Sequence, residues 1–419
     1  MQGHTSTSED PMAIDFSFEP EVEAVRLQIR DFMQKTVKPR MQQADEAGGG
    51  REEMIKAIAE LRPIAYEKGF WLPHMPGEWG GMGLGPTALA AVSAEAARVS
   101  IGPYILNCQA PDEGNMHTLL HFGTEAQKEQ YLRPLCEGKA RSCFSMTEPE
   151  VAGSDPTLIQ TRAEWNGEHW VINGHKWFTS GARGAKFAIV IACTDPDAEI
   201  PQARNTAFIV PTDTEGFELV RDVETMAGGH NHWEIIYKDV TVPDSAILGE
   251  RGGGHKLGQV RLGPARLAHC MRWIGQIEMA LEMLVEHAQQ RFAHGSYLSE
   301  KQGIQWMMAD SARELYAAKL MVLHSAYKIE QGLEFKQEVS MAKHHVANTL
   351  WRVVDRAMQV HGALGYSTDT PLAGMLQQAR WSRFADGADE VHQMRTAELL
   401  MKAYNEDGSI NAGVGGLPI

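Results

Sequence analysis

Apolar positions along the chain change their period twice. From Glu21 to about Glu137 they recur at three-to-four spacing, as in EVEAVRLQIRDFMQKTV, REEMIKAIAELRPIAYEKG and TALAAVSAEAARV, which predicts amphipathic helices. Between the last two lies WLPHMPGEWGGMGLGP, crowded with glycine and proline and read as a loop. Trp71 and Trp79 within it either line a pocket or pack against a neighbour, packing being the commoner arrangement. Near Ser142 the period shortens to two. AEWNGEHWVINGHKWFTS contains Asn166-Gly167 and Asn173-Gly174 flanked by alternating apolar residues, the pattern of tight hairpins. KFAIVIACTD, NTAFIVPTD, FELV and WEIIYKDVTVP carry strand character on to about Leu248, which predicts a middle antiparallel β domain.

After Gly252, Gly253 and Gly254 the helical period returns in longer runs. In ARLAHCMRWIGQIEMALEMLVEHAQQR the residues Leu267, Met271, Ile274, Ile277, Leu281, Leu284 and Ala288 share one stripe. ADSARELYAAKLMVLHSAYKIEQG, QEVSMAKHHVANTLWRVVDRAMQVHGALG and DEVHQMRTAELLMKAY behave alike, so a C-terminal four-helix bundle is expected. The predicted organisation is α+β and multidomain: a flexible extension over 1–20, a helical domain over 21–141, the β domain over 142–250, the bundle over 251–405 and a patternless tail over 406–419. A chain of 419 residues accommodates this division, at roughly 100–200 residues per domain.

Charge and composition narrow the possibilities. The 54 acidic residues outnumber 39 basic ones, giving a net charge of -15, and no Lys/Arg block of nucleic-acid type occurs. Cys108, Cys136, Cys143, Cys193 and Cys270 are odd in number and widely spaced, without C-x-x-C, which fits a reducing compartment. The start MQGHTSTSEDP is polar, with no apolar leader segment, and no run approaches the ~20 apolar residues of a spanning helix. A cytoplasmic protein without a membrane span is expected.

Most candidate chemistry has a plainer reading. His230, His232 and Glu234 of HNHWE would share a strand face, but no fourth metal ligand follows from the spacing, and no metal is expected. GERGGGHK lacks the phosphate-loop spacing and reads as a domain-joining loop. No G-x-G-x-x-G opens a βαβ unit, and G-x-S-x-G is absent. Two segments rise above this background. FSMTEPEVAGSDPT (144–157) offers backbone N–H groups and the Ser154 hydroxyl to phosphate oxygens, and HKWFTSGA (175–182) sets aromatic rings beside Thr179 and Ser180, suiting a planar hydrogen-bonding ring. FADGADEVH carries Asp386, Asp389 and Glu390. An aspartate there is either a helix N-cap or a catalytic acid or base.

In their order, TEPEVAGSD, INGHKWFTSGA, VPDSAILGE, LGPARLAHCMRWIG, AMQVHGALGYS and DGADEVH resemble the acyl-CoA dehydrogenase family from about residue 20 to 405, most closely the branch of members ten and eleven, with its LGP-[GA]-R and ADG-x-DEVH. The resemblance implies a helical domain, a β domain and a bundle, assembled as a homo-oligomer, usually a dimer of dimers. It implies FAD between β domain and bundle, an acyl-CoA substrate, α,β-dehydrogenation as in fatty-acid β-oxidation, and an electron-transferring flavoprotein as acceptor. Carried over by motif, Phe144, Met146, Thr147, Phe178, Thr179 and Ser180 meet the flavin and Ser154 its pyrophosphate. Arg291, Gln359 and Gly362 reach the adenosine half from a neighbouring subunit. Arg266 lies near the acyl-CoA, Asp386 takes the α-proton while hydride passes to flavin N5, and Gly387 lets the thioester approach the backbone. Burial of Asp386 in a water-poor pocket is expected to raise its pKa.

Three departures stand out. TEPEVAGSD is one residue longer than the family's TEPGAGSD, Arg291-Phe292-Ala293-His294-Gly295 lacks the usual threonine, and Asp386 replaces the common glutamate. A flavin oxidase of the same fold, resembling nitroalkane oxidases with their aspartate base, is the alternative within the fold; a non-catalytic scaffold is the alternative outside enzymology.

Overall fold

The computed structural model describes residues 17–46, 48–229 and 231–415. Most of the expected N-terminal extension and His230 of HNHWE lie outside the described residues. The N-terminal unit contains the helices Pro20–Phe32, Lys38–Glu46, Arg51–Glu67, Pro86–Ala96 and Asp112–Phe122. Their apolar stripes meet in a core of Ile29, Phe32, Leu61, Val92 and Ile105. The glycine-rich loop is anchored by packing: Trp71 is buried and donates its indole N–H to the Cys136 carbonyl at 2.9 Å, and Arg133 lies 4.8 Å over the Trp79 ring.

The middle unit contains β1 (Ser142–Ser145), β2 (Arg162–Trp165), β3 (Trp170–Ser180), β4 (Phe187–Cys193), β5 (Asn205–Pro211), β6 (Phe217–Asp222) and β7 (His232–Val242), in the order β1-β4-β2-β3-β7-β6 with β5 also on β4. Pairing is mainly antiparallel, as expected, but β1 and the edge of β2 run parallel to β4. Every residue of β4 is buried. One face, with Phe187, Ile189 and Ile191, packs on Trp71, Leu119 and Leu132, while Ala188 and Val190 face Ile235 and Tyr237 inside the β unit. Of the two Asn-Gly pairs, only the first forms a turn: Asn166 Oδ1 accepts from the backbone N–H of Glu168 and His169 and joins β2 to β3. Asn173-Gly174 lies inside β3 at a register shift, where a Cβ on Gly174 would stand 2.2 Å from Thr161 Oγ1. That glycine answers a close cross-chain approach, not a hairpin.

The C-terminal unit packs the helices Gly254–Gln290, Gln302–Glu330 and Lys336–His361 with Leu372–Ser382 and Asp389–Asp407. The expected stripe of the first helix is buried except Leu281, which packs partly buried on the same core. That helix starts earlier than its apolar run suggests, inside the glycine cluster, and continues through Pro264. Leu372–Ser382 had no separate signal, and the fourth position of the bundle is shared by it and the last helix. The tail is not patternless throughout: Ala412–Val414 form a 3₁₀ turn, and Gln337 Nε2 donates to the Gly413 carbonyl at 2.7 Å. All five cysteines are buried and unpaired, and no described helix is long and apolar enough to cross a membrane.

Candidate active site

The turn between Leu372–Ser382 and Asp389–Asp407 carries Asp386 into a cleft of about 1610 Å³ walled by all three units. Its backbone is left-handed at two successive residues, φ +51° at Asp386 and +112° at Gly387. Aspartate enters that region more readily than most side chains, and glycine does so without strain. Four interactions fix the turn. Arg266 Nε donates to the Asp386 carbonyl at 2.7 Å and Lys343 Nζ to the Gly387 carbonyl at 2.6 Å. Arg383 Nε and Asn348 Nδ2 both donate to Asp389 Oδ2, at 2.7 and 2.9 Å.

These contacts separate the three carboxylates of FADGADEVH. Asp386 does not cap the last helix, whose N-cap is Ala388 without a side-chain cap bond. Asp389 begins that helix and spends its carboxylate in a buried ion pair, and Glu390 is exposed. Asp386 alone faces the cleft, retaining 25% side-chain exposure there, with His269 Nε2 at 3.3 Å from Oδ2. Burial pushes its carboxyl upward, as expected from sequence, but His269 at 3.3 Å and the charges of Arg261 and Arg266 outweigh burial and hold it well below the usual carboxylate range. The expectation of a raised pKa is therefore reversed. Gly387 has a nearer reason than substrate approach, since a Cβ there would stand 2.8 Å from Nε2 of buried His392.

Behind Asp386 the cleft wall is polar inside an aromatic frame. The His269 ring stacks on Trp273 and meets Trp381 edge-on, both with centroids at 5.4 Å. Arg272 Nη2 reaches His269 Nδ1 at 3.3 Å, and its Nη1 donates to the Glu113 carboxylate. Arg261 sits 4.1 Å over the Phe144 ring and donates from Nε to Asn115 Oδ1. Sequence reasoning passed over His269, Arg272, Arg261 and Glu113. The available signal was two polar residues one helical turn apart, His269 and Arg272, interrupting an apolar run.

The opposite wall is built by β1, β3 and the loop after β1, bringing Phe144, Met146, Thr147, Ser154, Phe178 and Ser180 to the cleft. The Trp177 backbone N–H donates to the Thr147 carbonyl at 3.0 Å, and Lys176 Nζ donates to the Met146 carbonyl and to Glu148 Oε1, so the two sequence motifs lie side by side. Phe178, at φ +49°, keeps 40% of its surface exposed. Ser180 Oγ lies 2.8 Å from His232 Nδ1. Thr179 is the exception: it is fully buried, with its hydroxyl 3.3 Å from Ser145 Oγ, and its side chain does not reach the cleft. Beside Ser154 in the cleft lining, His255 has a buried Nδ1 without a hydrogen-bond partner. An aromatic face, hydroxyls and an unspent ring nitrogen fit a flavin with its polar chain, and the volume exceeds the roughly 300–1,000 Å³ of an ordinary single-ligand pocket.

Arg291, Gln359 and Gly362 are outside this lining. They gather at the end of the bundle: Arg291 and Gly362 cap the first and third helices, whose His287 and His361 rings stack at 4.1 Å.

Comparison with known proteins identifies the family and fold. Family models match in chain order: "Acyl-CoA dehydrogenase, N-terminal domain" over 19–139, "middle domain" over 143–240 and "C-terminal domain" over 252–401. The chain is 40% identical over 389 residues to a probable acyl-CoA dehydrogenase, FadE2, of Mycobacterium tuberculosis, covering 90% of this chain and 95% of that protein. It is 38% identical over 394 residues to acyl-CoA dehydrogenase family member 11 of Gallus gallus, covering 90% of this chain but only 50% of that longer protein. The solved structure of a putative acyl-CoA dehydrogenase from Mycobacterium abscessus superposes with a TM-score of 0.88 at 34% identity, over 93% of this chain and 100% of that one.

Proposed function

The chain belongs to the acyl-CoA dehydrogenase family, and from that premise we propose that it is an FAD-dependent acyl-CoA dehydrogenase, converting an acyl-CoA thioester to the 2-enoyl-CoA with Asp386 as the α-proton base. One observation carries the reading: a carboxylate kept ionised opens onto a cleft shared by all three units, opposite a wall suited to a planar ring. Bound flavin would supply the hydride acceptor. Phe144, Met146, Thr147, Phe178 and Ser180 would hold its ring end, with Ser154 and His255 toward the pyrophosphate. Asp386 takes the proton from the carbon next to the thioester, which requires a base in its ionised form at a fixed place. Arg266 and Lys343 supply that fixity by holding the two carbonyls of the turn. The apolar and aromatic wall around Trp273 and Trp381 excludes water from the developing enolate, where hydrogen-bond donors act most strongly.

We infer the wider assignment from the same family membership. The domain division is 21–141, 142–250 and 251–405. Arg291, Gln359 and Gly362 serve the adenosine end of a second copy's flavin, which makes a homo-oligomer part of the site. The electron acceptor is an electron-transferring flavoprotein, the role is fatty-acid β-oxidation, and buried unpaired cysteines support a reducing compartment such as the cytoplasm.

The test is anaerobic titration of the purified flavoprotein with a panel of acyl-CoAs. Bleaching of the flavin by at least one thioester is expected; a flavin-free protein, or one that no thioester bleaches, overturns the reading. Asp386→Asn should keep its flavin and reduce it about 10²–10⁴-fold more slowly. Rapid oxygen consumption without an added acceptor would move the assignment to an oxidase of this fold.

A further inference from the structure

Three buried residues behind Asp386 come from distant parts of the chain and have no part in the mechanism above. Glu113 lies on the helix Asp112–Phe122, and His269 and Arg272 lie one turn apart on Gly254–Gln290. All three are more than nine-tenths buried, with exposures of 5%, 8% and 9%. Their order is linear. The Glu113 carboxylate accepts from Arg272 Nη1, Arg272 Nη2 stands 3.3 Å from His269 Nδ1, and His269 Nε2 stands 3.3 Å from Asp386 Oδ2.

We propose that Glu113, Arg272 and His269 form a positioning chain that fixes His269 as the Nε2–H tautomer and presents that N–H to the Asp386 carboxylate. The proposal rests on the base assignment above. Its logic is a count of donors and acceptors. A guanidinium carries only N–H donors, so the His269 nitrogen facing Arg272 must be the acceptor. A neutral imidazole has one N–H, which then lies on Nε2, toward Asp386. Burial keeps His269 neutral by lowering its pKa, only partly offset by Asp386. Glu113 balances the charge of Arg272 and receives its second donor, which holds the guanidinium in place. The aromatic pair Trp273 and Trp381 confines the ring.

This arrangement makes His269 a fixed donor and not a relay. The proton removed from the substrate carbon becomes the carboxylic acid proton of Asp386. It does not pass through the ring, because the far nitrogen is occupied by Arg272. The other charged or titratable groups facing Asp386 are Arg261 and Arg266 on the same helix as His269, Lys343 on Lys336–His361 and His392 on the last helix. Arginines remain charged across the accessible range, so removing His269 isolates its own contribution.

The experiment is infrared spectroscopy of the Asp386 carboxylate at pH 7 in the flavin-loaded protein without substrate, with Asp386→Asn identifying the band. In His269→Leu the asymmetric carboxylate stretch should shift, because the carboxylate loses its N–H donor. His269→Gln, whose amide can donate, should recover much of that shift. Arg272→Met should move the band the same way and convert part of His269 to the other tautomer, read by ¹⁵N resonances of labelled histidine. A folded, flavin-loaded His269→Leu protein with the wild-type carboxylate band, or a wild-type His269 protonated at Nδ1, overturns the proposal. Should His269→Leu not fold, His269→Gln and the wild-type tautomer still decide it. Neither readout uses acyl-CoA, so a flavin that no thioester bleaches sinks the dehydrogenase reading alone, and an unshifted band in a bleachable enzyme sinks the positioning chain alone.

Discussion

At the scale of single residues, the replacement of the usual glutamate by Asp386 has a local physical reason. Its φ of +51° belongs to the left-handed region, which short polar side chains tolerate better than longer ones. The charges of Arg261 and Arg266 and the His269 donor then keep the shorter acid ionised, at the cost of a weaker base than a simply desolvated carboxyl would be. Gly387 is the more constrained neighbour. Its φ of +112° is strained for any L side chain, and a Cβ would stand 2.8 Å from His392 Nε2. Gly387→Ala should therefore lose about 1–3 kcal/mol in urea denaturation and slow flavin reduction by displacing the adjacent carboxylate. Adding His392→Ala removes the collision but not the backbone strain, so it should recover only part of the stability. Full recovery would assign the cost to the collision alone.

At the scale of elements, the sequence made visible what repeats and hid what is assembled from afar. The stripe of Gly254–Gln290 follows from periodicity and the strand character of β4 and β5 from their apolar runs, and the structure buries both. Asn173-Gly174 looked like Asn166-Gly167 because the demand on Gly174 comes from Thr161, on another segment. Glu113 and Arg272 are equally invisible in one dimension, since their pairing spans 159 positions. Motif resemblance found both walls of the cleft but not the side chain directing Thr179 inward, which is set by Ser145 across the curl of the sheet. The strand β3 shows how an element can hold a loop. Lys176 and Glu148, both almost fully buried, form an ion pair, and Glu148 also accepts from the backbone N–H of Gln160 and Thr161. Lys176→Met leaves that carboxylate unpaired, so a loss of about 3–5 kcal/mol is expected in chemical denaturation, together with weaker flavin retention. The double variant Lys176→Met/Glu148→Gln should be more stable than Lys176→Met alone, because the orphaned charge is gone. A single variant as stable as wild type would mean that the pair contributes nothing to holding the loop.

At the scale of the whole molecule, the three units share walls and not merely linkers, and buried neutral histidines lie inside the units. Phe187 and Ile189 of the sheet, Leu119 of the N-terminal unit and Leu257 of the first bundle helix belong to one core. His74 and His117 meet at 3.1 Å within the N-terminal unit, and His269 and His392 flank the Asp386 turn. Burial lowers all four, His117 and His392 to about 3. In the unfolded chain each would bind its proton near pH 6.5, so below that pH the unfolded state holds more protons than the folded one. Stability is then complete above about pH 6.5 and falls progressively as the pH drops toward the folded values. Each such histidine steepens the slope by up to about 1.4 kcal/mol per pH unit. The carboxylates act in a lower window: Glu113 and Asp386 are depressed, so their contribution is complete above about pH 4 and is lost as the pH falls from there toward their folded values. Urea denaturation between pH 7 and 4 should accordingly show loss beginning near pH 6.5, with His117→Leu flattening the slope by about one proton's worth. Because His269 and His392 line the cleft that would hold the flavin, its release should accompany the loss instead of following it. A wild-type stability that stays level from pH 6.5 to 4 would mean that the buried sites open to admit protons without unfolding, and His117→Leu would then leave the profile unchanged.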